Sequence, residues 1–476
     1  MTRTAFFVSS VLGASLFLIT SQARASSGVI SGTLQFYNKN GHYCPTGASC
    51  TQSLYKQAAY GTFTGFPEIE VILVNAANFQ IASGSTDSAG NYKMSWAYGG
   101  GTGNVTGARL RVNFKQKHGR FVFHSLGGSH TTPMSSPSEP FTLVHGSTQL
   151  APQVLATYKW GNAVTPHTTP NLYWAAWKMW ESLKSSPRMV SYFTGLCILV
   201  GEKSSGIPVT STDCQASSCA HGRFSKYNVG NLPSWAEKKP TIVIDGWPTT
   251  AFNPQSRVMH EMGHIADFLA GPSNGLLRST GYNYDALTPN TWDEYSLEWR
   301  PTALTEGLAT FLAVQAFHTE YDPGPYVCTA NGNSGEAGKR HCYPPGTVVD
   351  TDSIEDRLFG GSCVTKEGRR PISAMRYFWD IYDFSSDGTD ATDLTTRDIL
   401  ESLAVWPCAS YPACYLGGNL HDQFTSISSD FSSYTINNTQ RDEGNGWRYT
   451  LNMLNNYTGN PDVQGAYYQN CLGSIN

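Results

Sequence analysis

The sequence has little charge for its length. Only 14% of its 476 residues are charged, with 32 Lys and Arg against 36 Asp and Glu, and no run of five or more basic residues occurs. Proteins that bind nucleic acid usually carry a basic patch, so we do not expect nucleic acid as a partner. With 40% hydrophobic residues the chain is too apolar to be disordered, and it is long enough for two or three domains with their own cores.

Long hydrophobic runs are also missing, apart from one at the N-terminus. That segment combines Arg3, an apolar run that ends near Thr20, and the small-x-small sequence Ala23-Arg24-Ala25. This order is typical of a secretory signal peptide, so we predict cleavage after Ala25 and a secreted protein, extracellular or periplasmic. The run is shorter than the roughly 20 apolar residues of a membrane helix, and no later run is long enough, so no membrane span is expected after cleavage.

Cysteine is present, but not in the spacing of a metal knuckle. Eleven cysteines in an exported protein predict disulfides with one thiol left over, and no CxxC pair among them suggests a zinc site made of thiolates. Cys197 lies in the apolar run GLCILV, where a buried thiol is expected. Connectivity stays open, although four pairs lie close together in the sequence: Cys44 with Cys50, Cys214 with Cys219, Cys328 with Cys342, and Cys408 with Cys414.

Residues 26–156 consist of short alternating stretches between clusters of Gly, Ser and Pro. This pattern predicts an antiparallel β-sandwich. In the stretch EIEVILV, for example, Ile69, Val71 and Leu73 fall on one face of a strand and are expected to be buried.

The next stretch, STDSAGNYKMSW, contains Asp87 and Gly90, which supply a turn between two strands. Together with SGTLQF before it and FTLVHGSTQLAPQVL after it, this stretch resembles the transthyretin-like domain that accompanies carboxypeptidases and many secreted bacterial proteins. The resemblance implies an accessory sandwich without catalytic residues of its own.

From residue 157 onward the pattern changes to helical periodicity. In NLYWAAWKMWESLKS, the aromatic residues Tyr173, Trp177 and Trp180 recur three or four positions apart, which predicts a helix whose aromatics belong to the core rather than to a binding site. PTIVIDG is expected to be a short buried strand. Further helices are predicted in SRVMHEMGHIADFLAG, PTALTEGLATFLAVQAF, ISAMRYFWDIYDF and TTRDILESLAVW.

The first of these further helices carries the sequence HExxH in His260, Glu261 and His264, with Ser256 as its expected N-cap. Residues four apart project from one face of a helix, so the two imidazoles can bind one zinc ion, and Glu261 can reach a water molecule on that ion. Small Gly263 lets another element approach closely. An ordinary amphipathic helix with two histidines is the alternative, but such a pair does not need Glu261.

A catalytic zinc needs a third protein ligand and one open position. A third histidine after a helix-breaking glycine is not available, because Asp267 and Ala270 stand at those positions. Asp267 lies one turn beyond His264 but too far along the axis from His260, so it is either a partner beside the metal or a charge on the helix surface. Glu306, in ALTEGLATFLA, is the candidate ligand from a separate helix.

HEMGH together with Glu306, Gly307 and Ala309 resembles the gluzincin metallopeptidases, a group that includes thermolysin-like enzymes. The later FWDIYD is similar to a segment that follows such helices in secreted bacterial relatives. The resemblance implies zinc bound by the two histidines and Glu306. Thermolysin-like chains carry Asp four residues after the ligand Glu, whereas this chain has Thr310, so the groups around the ligands must be arranged differently.

Other polar residues are candidates for the oxyanion that hydrolysis produces. Tyr377, Tyr382, Arg376 and His421 are alternatives for this role, and each is also compatible with a purely structural role. Asp380 either orients a ligand or belongs to a polar network. The aspartates of SSDGTDATD do not have EF-hand spacing, so a solvated loop is expected there rather than a calcium site.

These features predict a multidomain secreted protein: a signal peptide over 1–25, an all-β sandwich over 26–156, and a mainly helical α+β zincin-like catalytic domain over 157–476. The expected activity is that of a metalloendopeptidase on protein or peptide substrates, with zinc lowering the pKa of a bound water and Glu261 moving its proton to the leaving amine. The sequence leaves the oligomeric state open. The alternative is a non-catalytic secreted binding or cell-surface protein with a structural or absent metal, for which 25 Tyr and 12 Trp would suit glycan contacts.

Overall fold

The structure is a computed structural model of the chain. It describes residues 25–39, 61–99, 101, 103–125, 135–138, 140–150, 157–160, 168–200, 219–221, 240–244, 255–270, 300–316, 371–382 and 394–404. Most of the predicted signal peptide, His421 and the SSDGTDATD loop lie outside these residues, and each predicted cysteine pair has at least one member outside them.

Fourteen strands and six helices lie in the described residues. The strands are β1 (Ser26–Lys39), β2 (Gly61–Gly65), β3 (Ile69–Val74), β4 (Gln80–Ser85), β5 (Asn91–Tyr98), β6 (Val105–Gln116), β7 (Phe121–Ser125), β8 (Ser135–Pro137), β9 (Phe141–Leu143), β10 (Thr148–Leu150), β11 (Thr157–Trp160), β12 (Leu196–Val200), β13 (Cys219–His221) and β14 (Thr241–Ile244). The helices are α1 (Thr168–Leu183), α2 (Pro187–Tyr192), α3 (Gln255–Ala270), α4 (Arg300–Gln315), α5 (Pro371–Asp380) and α6 (Thr396–Ala404). The predicted order, with strands in the N-terminal part and helices later, is confirmed.

The first sheet is built around β1. Strands β5 and β2 pair with it in the antiparallel direction, whereas β10 and β11 pair with it in parallel. The expectation of antiparallel strands alone is therefore wrong for this sheet. Alternation of apolar and polar residues shows which face of a strand is buried, but not the direction of its partner. Strand β1 begins at Ser26, so cleavage after Ala25 would leave it whole, and the cleavage itself stays a prediction.

The second sheet has the strand order β13-β14-β12-β7-β6-β3-β4, and β8 and β9 also pair with β6. Ile69, Val71 and Leu73 in β3 are completely buried, which confirms the face predicted for that strand. Their side chains belong to the same hydrophobic cluster as Ile30 and Leu34 of β1 in the first sheet. The buried faces of the two sheets thus share one core.

The turn between β4 and β5 carries the chain from the second sheet to the first. One carboxylate oxygen of Asp87 accepts hydrogen bonds from the backbone N–H groups of Ala89 and Asn91, at 2.9 and 2.8 Å. Gly90 has a φ of +86°, which residues with a Cβ rarely adopt. Both residues supply the turn chemistry that the sequence predicted for them.

The second sheet continues past the predicted boundary after residue 156. Strand β12 is fully buried and lies between β7 and β14, parallel to both. A strand buried in this way suits the apolar run GLCILV, and Cys197 within it is 1% exposed, as predicted. Hydrogen bonds of one sheet therefore join the two parts of the chain, and the division into separate domains stays a prediction.

Helix α1 lies against the sheets through Tyr173. The Tyr173 hydroxyl donates to the backbone carbonyls of Pro67 and Glu68, at 3.2 and 3.1 Å. Its ring packs among four phenylalanine rings, with centroids 5.3 to 6.3 Å away: Phe66, Phe114, Phe121 and Phe123. Trp180 is also buried and Trp177 partly so, which confirms that these aromatics belong to the core.

Helix α3 occupies a central place among the remaining elements. It packs against α1, α2, α4, α6 and the strands β13 and β14. Near its C-terminal end, the Leu269 carbonyl accepts a hydrogen bond of 3.0 Å from the Arg188 side chain of α2. The last carbonyls of a helix have no partner within the helix, and Arg188 supplies one here. Within the described part of the chain, no helix combines the length and apolarity that crossing a membrane requires.

Candidate metal centre

Helix α3 presents an apolar face to the core and its histidines to one side. Val258, Met259, Met262 and Ile265 are at most 1% exposed. The helix begins at Gln255, so Ser256 lies inside its first turn and is not the N-cap that the sequence predicted. Helix starts can shift by a residue without changing which side chains share a face, so the face that carries HExxH is unaffected.

Helix α4 is buried on all sides where its side chains are described. Every residue from Ala303 to Gln315 has less than a tenth of its surface exposed, and Glu306 is 2% exposed. A carboxylate so deeply buried is costly unless it is paired with positive charge or a metal. The groups that face Glu306 therefore decide whether its carboxylate can be stable in this buried position.

Two glycines allow the close helix contacts around Glu306. A Cβ at Gly263 of α3 would lie 2.7 Å from the Ala309 Cα of α4 and 2.8 Å from its carbonyl oxygen. A Cβ at Gly307 would lie 2.7 Å from the Pro371 carbonyl oxygen of α5. Larger residues at these positions would push α4 away from its neighbours, so the close approach expected at Gly263 is confirmed.

His260, His264 and Glu306 meet in a nearly equilateral triangle. The His260 Nε2 atom lies 3.1 Å from the His264 Nε2 atom and 3.1 Å from Glu306 Oε2, and His264 Nε2 lies 3.2 Å from the same oxygen. Zinc binds such atoms at about 2.0 to 2.2 Å in tetrahedral geometry, which separates neighbouring ligand atoms by about 3.3 Å. The three side chains thus fit a single zinc ion.

One side of this triangle is less buried than the other. The side chains of His260 and His264 are 13% and 19% exposed, whereas that of Glu306 is 2% exposed. The two histidine side chains are therefore partly accessible to solvent, whereas the glutamate side chain is almost completely buried. Glu261 follows His260 in α3 and is 7% exposed, and its charge contributes to the electrostatics of His264.

Charge pairing dominates the electrostatics of the triangle. Burial acts to lower the pKa of His264, but the carboxylates of Glu306, Glu261 and Asp267 outweigh it and raise the pKa to about 9. Burial acts to raise the pKa of Glu306, but the two histidines outweigh it and hold the pKa at about 2. The Glu306 carboxylate is thus ionised at neutral pH, as a metal ligand must be, and a divalent cation has to displace the proton of His264.

Asp267 is not one of the three converging groups. It lies one turn after His264 in α3, where it is 4% exposed, and burial raises its pKa to about 7 against an opposing effect of His264. The possibility that Asp267 is a charge on the helix surface is therefore wrong. Its role as a partner beside the metal stays a prediction.

Thr310 occupies the position at which the sequence departs from the thermolysin-like pattern. It is 2% exposed, and its hydroxyl oxygen lies 3.1 Å from the His260 Nδ1 atom. The sequence showed that the surroundings of the ligands must differ, but not that this residue contacts His260. The spacing of four residues from Glu306 was the available signal, because it puts Thr310 on the face of α4 that carries Glu306.

The downstream candidates belong to the core as far as they are described. Tyr377 has no exposed surface and its ring packs 5.2 Å from that of Phe378, and its role at an oxyanion stays a prediction. Tyr382 is 8% exposed and packs against Phe311 of α4. Arg376 and Asp380 in α5 are also buried. His421 lies outside the described residues.

Comparison with protein families, with curated proteins and with solved structures finds no match to this chain. The resemblances to transthyretin-like domains and to gluzincins thus rest on the residues quoted for them. What the site can do must be argued from its own geometry.

Substitution of Gly263 tests how closely α3 and α4 approach. Gly263→Ala would raise helix propensity by about 1 kcal/mol, but its Cβ would clash with the backbone at Ala309, so we expect a net destabilisation of about 1 to 3 kcal/mol. Urea denaturation of the metal-free protein measures the effect. Gly99→Ala, at an exposed glycine with open space around it, is the matched control. Equal stability of the two variants would contradict the close contact.

The buried carboxylate of Asp267 predicts a stability difference that depends on pH. Its folded-state pKa of about 7 lies above the ordinary value of 3.8, so the folded chain keeps a proton that the unfolded chain releases as pH rises above 3.8. The resulting loss of stability is complete above about pH 7. Asp267→Asn should therefore stabilise the metal-free protein by roughly 1 to 4 kcal/mol at about pH 8, with a smaller gain at about pH 5. A loss of stability at both pH values would contradict this assignment.

Proposed function

We propose that this chain is a secreted zinc-dependent hydrolase, and specifically a metalloendopeptidase. The observation that carries the proposal is the triangle of His260 Nε2, His264 Nε2 and Glu306 Oε2, with sides of 3.1 to 3.2 Å. Two imidazoles and one carboxylate are a ligand set of catalytic zinc sites.

These three residues would hold the ion, and Glu261 would accept and donate protons. A zinc ion bound there supplies a Lewis acid that activates water and polarises the scissile carbonyl. Glu261, next to His260 on the same helix, takes the proton from the attacking water and passes it to the leaving amine. Its carboxylate is buried with 7% exposure, so it reacts in a protected environment rather than in bulk solvent.

The number of ligands favours catalysis over a structural role. Structural zinc sites are closed by four protein ligands, whereas catalytic sites keep a position open for water or substrate. In the described part of the chain the group consists of three residues, and its histidine edges are partly exposed. Both features support a site at which a substrate carbonyl can approach.

The proposal also includes the fold of each of the two parts of the chain. We infer a transthyretin-like sandwich over residues 26–156, followed by a zincin-like α+β domain over 157–476. Support comes from the two sheets to which β1–β10 contribute and from helix α3, which packs on β13, β14 and α4. The predicted signal peptide supports a protein or peptide substrate outside the cell.

Hydrolysis of an unfolded protein, measured before and after treatment with a chelator, tests the proposed activity. We expect peptide products from the untreated protein, none after chelation, and recovery when zinc is added back. Zinc binding without hydrolysis would indicate a structural metal, and hydrolysis that resists chelation would contradict the proposal. If the protein neither binds zinc nor hydrolyses the substrate, the alternative of a secreted binding protein is favoured.

A further inference from the structure

One hydroxyl group links two of the three converging residues. The Thr310 Oγ1 atom donates a hydrogen bond of 2.8 Å to the Glu306 carbonyl, one turn earlier in α4. The same oxygen lies 3.1 Å from the His260 Nδ1 atom of α3. The hydroxyl thus lies between the ring of one candidate ligand and the backbone of another.

The number of protons decides the direction of these hydrogen bonds. A threonine hydroxyl has one proton to donate and lone pairs that accept. Because that proton is directed to the Glu306 carbonyl, the oxygen can only accept from His260. This arrangement assigns the ring proton of His260 to Nδ1, which leaves a lone pair on Nε2 when the ring is neutral.

That lone pair has the direction that a ligand requires. His260 Nε2 faces Glu306 Oε2 and His264 Nε2, each 3.1 Å away. While no cation is bound, a proton on His264 Nε2, which is 3.2 Å from Glu306 Oε2, can be shared between that oxygen and the lone pair of His260. In the other tautomer, a proton on Nε2 would point into this space and would have to leave before a metal could bind. The Nδ1–H tautomer is thus the form that is ready for a cation.

We propose that Thr310 is a positioning residue that fixes His260 in the Nδ1–H tautomer. The connection runs from the His260 ring N–H to the Thr310 hydroxyl, and from that hydroxyl to the Glu306 carbonyl. The inference rests on the proposed metal site, but it does not require that the site is hydrolytic.

Two features of α4 hold the hydroxyl in place. Threonine is β-branched, so its χ1 angle has few choices in a helix, and its bond to the carbonyl four residues earlier selects one of them. Its neighbour Ala309 is the residue that contacts Gly263 of α3. The hydrogen bond to His260 therefore forms next to a close contact between the two helix backbones.

A neutral hydroxyl in this position has an electrostatic consequence. Partners of metal-bound histidines are often carboxylates, which increase the basicity of the ring. Thr310 orients His260 without adding negative charge, so Glu306 is the one carboxylate among the three converging residues. The site keeps more of the positive charge of a bound cation than it would with a carboxylate at residue 310.

Thr310→Val and Thr310→Ser are the informative pair of variants. Valine has the shape of threonine without its hydroxyl, whereas serine retains the hydroxyl. The tautomer of His260 is read from ¹⁵N chemical shifts of histidine-labelled, metal-free full-length protein at about pH 8, above the ordinary histidine pKa. The His260 signals are assigned by their absence from His260→Gln. Zinc affinity is measured on the same proteins by competition with a chelator.

We expect the Nδ1–H form in the wild type and in Thr310→Ser, and a mixture of tautomers in Thr310→Val. Zinc affinity should fall by about 10-fold to 100-fold in Thr310→Val and by less than about 3-fold in Thr310→Ser. A purely structural role would lower the stability of Thr310→Val without changing the tautomer or the zinc affinity of its folded form, and that result would overturn the proposal.

The wild-type spectrum keeps the inference testable if Thr310→Val does not fold. A proton on Nε2 of His260 in the wild type would refute it directly. A wild type with the Nδ1–H tautomer that binds no zinc would instead refute the proposed function and leave the hydrogen-bond assignment intact. The two failures are thus distinguishable.

Discussion

Glu261→Gln is expected to keep about one zinc ion per chain while hydrolysis of an unfolded protein falls by about two or more orders of magnitude. Glutamine has nearly the shape of glutamate, but its amide cannot accept the proton of the attacking water. The three residues that converge at 3.1 to 3.2 Å do not include Glu261, so their geometry is preserved. Elemental analysis and a proteolysis assay on the same sample measure both quantities.

Glu181→Gln is a matched control for this variant. Glu181 lies on α1, where it pairs with Lys184 three residues later. Its substitution by Gln removes the same negative charge, but away from the site. Its zinc content and activity should equal those of the wild type. If Glu261→Gln retains full activity, Glu261 is not the base. If it loses its zinc, Glu261 takes part in metal binding and the division of roles is wrong.

The second large effect is expected for Glu306→Ala, which should lose both zinc and activity. Removing one of three ligands weakens the site itself, and the proximity of two imidazoles is then no longer compensated by a carboxylate. We expect less than about one tenth of a zinc ion per chain after dialysis. Circular dichroism shows whether the variant keeps its secondary structure, so that loss of metal is not confused with loss of fold.

Asp267→Ala is the variant with which the zinc content of Glu306→Ala should be compared. Asp267 has a buried carboxyl group on α3, so it is of the same chemical type as Glu306 but lies outside the triangle. If Asp267 is a partner beside the metal, its removal should weaken zinc binding by only about 10-fold to 100-fold. Full zinc in Glu306→Ala combined with loss of zinc in Asp267→Ala would make Asp267 the third ligand and the gluzincin assignment wrong.

Much of the candidate site could be predicted from the sequence because helix geometry fixes local relations. A spacing of four puts His260 and His264 on one face whatever the rest of the chain does. Glu306 could be selected because the pattern that the chain resembles has its third ligand on a separate downstream helix, and ALTEGLATFLA supplies a glutamate there. The contact of Thr310 with His260 could not be predicted, since it depends on the distance and rotation between α3 and α4. The close approach of Gly263 to Ala309 is one of the contacts between these helices.

The strand pairings show the limit of the same approach. Alternation gave the buried face of β3 correctly, because that face is a property of one strand. The parallel partners of β1, and the position of β12 beside β7, are relations between distant segments. Nothing in a single strand's pattern specifies them. For the same reason the burial of Asp267 follows from how the helices pack around α3 and not from its spacing on the helix.

Anomalous diffraction at the zinc absorption edge, from crystals of the full-length secreted protein, tests the central claim most directly. The account predicts one anomalous peak at about 2.0 to 2.2 Å from His260 Nε2, His264 Nε2 and a Glu306 carboxylate oxygen. A peak coordinated by Asp267 instead of Glu306, or zinc-soaked crystals without a peak between α3 and α4, would contradict it.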